Sequence, residues 1–83
     1  MKLVYRQTVD GYIGYYNLQN TRMARIIFTA DHHFIEISHR ISMKICPIET
    51  RFFTSERSAE QALLTFLLAE GYRIVSPQQM VMI

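Results

Sequence analysis

Residues 58–75 read SAEQALLTFLLAEGYRIV, and this stretch decides the fold class. Ser58 followed three residues later by Gln61 matches a capping box, in which the two side chains satisfy backbone N–H groups at a helix start. Ala59, Ala62, Leu63, Phe66 and Leu67 recur at helical spacing and form one apolar stripe. Gly71 stands at the helix end, where glycine reaches positive φ without steric cost. The pattern predicts a helix over 59–70. Tyr72-Arg-Ile-Val75 then reads as a short strand, stopped by Ser76-Pro77.

Everything before the helix reads as strand. Lys2 to Val9 is a β-type run, and Asp10-Gly11 is a hairpin signal that leads into a second strand, Tyr12 to Leu18. Gln19-Asn20-Thr21 is a polar break. A third strand, Arg22 to Ala30, puts Ile26, Phe28 and Ala30 on one face and Arg25, Ile27 and Thr29 on the other. Asp31-His32 reads as the next tight turn. His33 to Ile45 reads as one long strand, with Ile35, Ile37, Ile41, Met43 and Ile45 alternating against Glu36, Ser38, Arg40, Ser42 and Lys44. His39 interrupts the apolar side, so a bulge or bend is expected near His39-Arg40. Cys46 to Thr54 is a loop with a short extended piece at Arg51-Phe52-Phe53. The tail, 78–83, is open to a further strand beyond the order that the clearer signals set. The order β-β-β-β-α-β predicts an α+β fold: an antiparallel sheet of four to five strands with one helix on one face, in a single domain over 1–83.

Composition sets the limits. Of 83 residues, 49% are apolar and 19% charged, so the chain collapses around a core, and a thin one at this length. Cys46 is the only cysteine, which rules out an internal disulfide and, with three histidines, argues against a four-ligand zinc site. The lone thiol and the polar residues after Lys2 predict a cytoplasmic protein without a secretory signal. The longest nearly apolar stretch, Ala62 to Ala69, is far short of a membrane span, so no membrane association is expected. A net charge of +2 excludes an acidic mimic of nucleic acid. Seven of the nine basic residues are arginine, at 6, 22, 25, 40, 51, 57 and 73. Arginine and tyrosine together make the composition of binding hot spots, although a host's codon habits produce the same surplus.

Several features bear on chemistry. Leu64 and Leu68 lie nearly opposite the helix's main stripe, so the loop before the helix, the apolar tail, a partner or a second copy has to cover them. Tyr12 and Tyr16 share one face of their strand and Tyr15 takes the other. With neighbouring arginines they suit base stacking or protein contact, and they are also ordinary strand residues. Gly11-Tyr-Ile-Gly-Tyr-Tyr16 lacks the basic start and the spacing of the aromatic RNA-binding sheet motif. His32 and His33 are adjacent and point to opposite faces of a strand, so the turn is read as exposed imidazoles rather than a metal site. His39 is expected to be hydrogen-bonded in or beside the core, and Cys46 to be a small apolar filler with no activating base at a catalytic spacing. Arg51 and Arg57 flank the helix start, solvated or facing a phosphate or carboxylate. No Gly-rich phosphate loop, nucleophile elbow or pair of carboxylates occurs, so no catalytic residue, cofactor or metal is expected and the chain is read as a non-enzyme.

In size and build, through Asp10-Gly11, the capped helix from Ser58 to Gly71 and the closing strand Tyr72 to Val75, the chain resembles the small phage-encoded inhibitors of bacterial defence, including the anti-CRISPR proteins. The resemblance implies a non-catalytic protein-binding module that sterically blocks a larger protein or ribonucleoprotein. It carries over no residue. From composition and spacing alone, the partner-binding candidates are Leu64, Leu68, Arg51, Arg57, Tyr12, Tyr16, Arg25 and Arg40. Two other readings stand beside this one. One is a small nucleic-acid-binding regulator using Arg22, Arg25, Arg40, Lys44 and the tyrosines. The other is a structural homodimer.

Overall fold

The computed structural model describes residues 2–38, 41 and 46–75. It is an α+β fold. Strands β1 (Lys2–Val9), β2 (Tyr12–Asn17), β3 (Arg22–Phe28) and β4 (His33–Ile37) precede a 3-10 turn (Pro47–Thr50), helix α1 (Glu56–Ala69) and strand β5 (Tyr72–Val75). The sheet order is β4-β3-β2-β1-β5. The first four strands form an antiparallel meander. The fifth adds to β1 in parallel, so the sheet is mixed rather than wholly antiparallel. Reaching that position takes α1 across the sheet from one edge to the other.

The turns are built from the residues that punctuate the sequence. Asp10 and Gly11 make a two-residue connection, with Val9 opposite Tyr12 and Gly11 at φ +86°. Asn17 Oδ1 accepts from the N–H groups of Gln19 and Thr21, which closes the next turn one residue earlier than the pattern predicts. Asn20 sits there at φ +63°, a conformation asparagine tolerates better than most residues. β3 stops at Phe28 rather than Ala30. The Thr29 hydroxyl donates to the His32 carbonyl and accepts from the His32 N–H, so local bonds replace the ladder.

Two further expectations change. The long strand predicted over 33–45 ends at Ile37. Ser38 N–H donates to the Met23 carbonyl, and a turn closed by Ile41 N–H on the Ser38 carbonyl follows. His39, Arg40, residues 42–45 and the tail at 76–83 lie outside the described residues. The helix also begins earlier than predicted. Its cap is Ser55, whose Oγ accepts from the Ser58 N–H at 3.1 Å. Two serines three apart both offer a cap, and the earlier one adds almost a turn and puts Glu56 at the positive end of the helix dipole. Gly71 takes φ +89° just past the helix end, as its position predicts.

The core lies between α1 and one face of the sheet. Val4, Ile13, Tyr15, Ala24, Ile26, Ile35, Ile37 and Tyr72 face Ala59, Leu63 and Leu67, with Cys46 and Phe53 closing the side. Arg6 reaches from this face to the helix rim, 2.6 Å from Glu60 and 3.9 Å from Glu56. Glu49 pins the connection between β4 and α1. Its carboxylate accepts from the Ile37 N–H at 2.7 Å and from the Cys46 N–H at 2.9 Å. A short antiparallel bridge between His33 and Phe53 holds the same connection against the outer edge of β4.

Two stability predictions follow from these contacts. Glu49→Ala leaves both N–H groups without their acceptor and should cost about 1–3 kcal/mol, while Glu49→Gln, which keeps a carbonyl oxygen, should cost less. Thermal melting checks this, at roughly 4–8 °C per kcal/mol for a chain of this size. Tyr15 is 1% exposed, and burial first, then the nearby Glu60 carboxylate, pushes its phenol up to about 12. A folded-state value above the unfolded one of about 10 means that its contribution is intact below pH 10 and is lost as pH rises toward 12. Denaturant midpoints over that window should fall more steeply for the native chain than for Tyr15→Phe, with a divergence of up to about 3 kcal/mol.

Candidate binding face

A single helix leaves the second face of the sheet uncovered by any described element. The strand register decides what that face presents. Val9 pairs with Tyr12, so counting back along β1 places Gln7 opposite Gly14 and Tyr5 opposite Tyr16. Across the next ladder, Tyr12 pairs with Ile27 and Gly14 with Arg25. A bulge then opens between Tyr15 and Tyr16, so that Tyr15 pairs with Ala24 and Tyr16 with Arg22. Met23 is the extra residue. It is buried, and Arg22 emerges on the tyrosine face, where strict alternation from Arg25 would have put Met23.

Gly14 lets the tyrosines lie down. A Cβ at this position would come within 2.5 Å of a Tyr16 ring carbon, so the Tyr16 side chain folds back along β2 into the space glycine leaves. Tyr12 reaches the same spot from the other direction, and the two hydroxyls meet at 3.4 Å. Tyr16 stacks beside Tyr5, with ring centroids 5.7 Å apart and planes 29° from parallel. The Tyr5 hydroxyl donates to Asn20 Oδ1 and so ties the cluster to the β2–β3 turn.

Two arginines stand over the Tyr12 ring of the cluster. The Arg22 and Arg25 guanidiniums lie 5.5 and 5.3 Å from the centre of the Tyr12 ring. Arg25 is also held by Glu36 through contacts of 2.9 and 3.3 Å. Arg22 donates to the Tyr12 hydroxyl at 3.5 Å, and among the described residues no carboxylate pairs with it. Arg73, opposite Leu3 in the register, is an exposed cation at the β5 side of the same face. The Tyr12 oxygen accepts from Tyr16 and from Arg22, and these bonds hold its pKa below the usual tyrosine value. The donating Tyr16 hydroxyl is shifted upward.

Charge is divided between the two sides. The open face carries Arg22, Arg25 and Arg73 against Glu36, whereas on the helix side Glu56, Glu60 and Glu70 are answered by Arg57, by Lys2 and by Arg6, which holds Glu60 and Glu56. An aromatic run also continues past the sheet. Phe34 follows Ile27 in the register, and Phe52, 71% exposed, packs edge-on against Phe34 at 6.3 Å and beside His32 at 5.3 Å.

Of the sequence candidates, Tyr12, Tyr16 and Arg25 come together here. Arg51 and Arg57 do not; both are exposed on the side of the helix start, with Arg51 over the Phe53 ring at 4.7 Å. Leu64 is half-buried and packs on the core, whereas Leu68 is exposed, so the two leucines do not form one open stripe. Arg40 lies outside the described residues. The sequence pattern passed over the role of Gly14, the partnership of Tyr5 with Tyr16, and Phe52. The first two were recoverable by counting outward from Asp10-Gly11.

His32 is exposed in its turn, while the His33 ring packs edge-on against Phe28 at 5.0 Å. Among the described residues no group of His, Cys, Asp or Glu comes together to hold a metal ion, and no helix is long and apolar enough to cross a membrane. Compared with family models, curated proteins and solved structures, the chain matches none.

The cluster has a spectroscopic test. Gly14→Ala should lift Tyr16 off the sheet and break its contact with Tyr12, and Arg22→Ala should remove the other donor. In an absorbance titration of the phenols, each substitution should move the earliest tyrosine transition to higher pH.

Proposed function

We propose that this chain is a non-catalytic binding protein that acts sterically, covering a negatively charged surface of a larger protein or ribonucleoprotein with the helix-free face of its sheet. The observation that carries this reading is the Tyr5–Tyr16–Tyr12 cluster with Arg22 and Arg25 over its Tyr12 ring, on a face that no described element covers. Tyrosine and arginine supply large contact area with little ordering entropy, and a face with surplus arginine favours an anionic occupant. This mode of action agrees with the likeness in size and build to small phage-encoded inhibitors of bacterial defence. A reducing, cytoplasmic setting suits a chain with one cysteine.

The test is capture of partners from the native host by the tagged chain, compared with Arg22→Glu and Leu68→Glu. Arg22→Glu should weaken the captured complex at least tenfold, and Leu68→Glu should leave it intact. The opposite pattern would place the contact on the helix and end this reading.

A further inference from the structure

We infer that the anionic occupant of this face is a single-stranded nucleic-acid segment, with bases stacking on Tyr16 and Tyr5 and backbone phosphates meeting Arg22 and Arg73. The inference rests on the sheet face being the working surface and adds what that surface takes.

The first argument is shape. Of the partners named above, an exposed strand of a ribonucleoprotein matches the face best: Gly14 allows Tyr16 to lie along β2, with the Tyr5 ring stacked beside it. The described clefts reach this face only at its margins, by Leu3 and Leu18 at one end of the sheet and by Phe34 and Glu36 at the β4 edge. The half-buried tyrosine rings between them suit flat partners, and every base has a flat ring.

The second argument is charge placement. Arg22 on β3 and Arg73 on β5 flank the two rings, and neither pairs with a described carboxylate. The strands that carry them are three ladder spacings apart, about 14 Å. The line from Arg22 through Tyr16 and Tyr5 meets β5 at Val75, and Arg73 stands two residues along β5, so an extended strand joining the two arginines crosses the sheet obliquely, over Tyr16 on β2 and then beside Tyr5 on β1. Arg25 contributes less to phosphate binding, because Glu36 already holds it. A duplex keeps its bases stacked on one another and offers these rings nothing, so the surface selects single strands.

The experiment titrates short oligo-dT and oligo-U into the full chain. The chain has no tryptophan, so all intrinsic emission comes from its tyrosines and stacking is read as quenching. Binding should quench this emission. With two phosphate contacts on a single strand, raising salt from about 50 to about 200 mM should weaken binding roughly sevenfold. Arg22→Gln should lose about half of that salt dependence, and Tyr16→Leu should weaken binding about tenfold or more with the circular-dichroism spectrum unchanged. A duplex of equal length should bind more weakly. Oligonucleotide binding that is indifferent to Tyr16→Leu or flat in salt would overturn the inference. Failure of both oligonucleotides while poly-glutamate binds in an Arg22-dependent way would overturn it too, yet leave the binding face standing. Failure of every anion would remove both.

Discussion

One 14-residue helix is about 21 Å long and about 10 Å across, while five strands at the usual spacing span about 24 Å. A helix of this size covers one face of such a sheet, and among the described residues no element covers the other. The division of labour in the chain follows from that geometry. The covered face and the helix side that meets it hold the fully buried side chains, among them Val4, Ile13 and Ile26 on the sheet and Leu63 and Leu67 on α1. The uncovered face must be tolerable in water while still holding a sheet together. Tyrosines with arginine stems above them meet both demands, since each has an apolar body and a polar tip.

The edges of the sheet are handled separately. The edge strands are β4 and β5, and the outer edge of β4 is occupied by the His33–Phe53 bridge and by the Glu49 carboxylate on the Ile37 N–H. A carboxylate at an edge strand occupies a donor without offering a new ladder, which discourages pairing with another chain. The proposed contact surface is the open face of the sheet. Gly14 sits at its centre and contributes by having no side chain.

Much of this was legible in the sequence. The hairpin at Asp10-Gly11, the helix with its terminal Gly71 and the strand at 72–75 are local signals, written in residues a few positions apart. The split of Tyr12 and Tyr16 from Tyr15 follows from alternation alone. The candidate site was legible in pieces. Tyr12, Tyr16 and Arg25 were each visible as binding residue types, but their meeting depends on register across three strands. Leu64 and Leu68 looked like a second stripe on a helical wheel. The wheel does not show that Leu64 tilts onto the core while Leu68 does not. The helix start was misplaced because Ser55 and Ser58 are chemically equal caps, and only packing at the first turn chooses between them.

By itself, then, the sequence determined the order of elements, the pairing register of the first hairpin and the amphipathic faces, because these rest on short-range sterics and periodicity. The tertiary structure decided three things. It placed β5 beside β1 in parallel, since α1 carries the chain across the whole sheet before it can pair again. It put the helix on the Ile26 side, leaving Tyr5, Tyr12 and Tyr16 half-buried on the other, a choice made by summed burial over the entire face rather than by any one strand. It also inserted the bulge opposite Tyr15 and Tyr16, which takes Met23 into the core and turns Arg22 onto the tyrosines. Burying one more apolar side chain favours that slip, and its value depends on a core that exists only once distant parts of the chain have met.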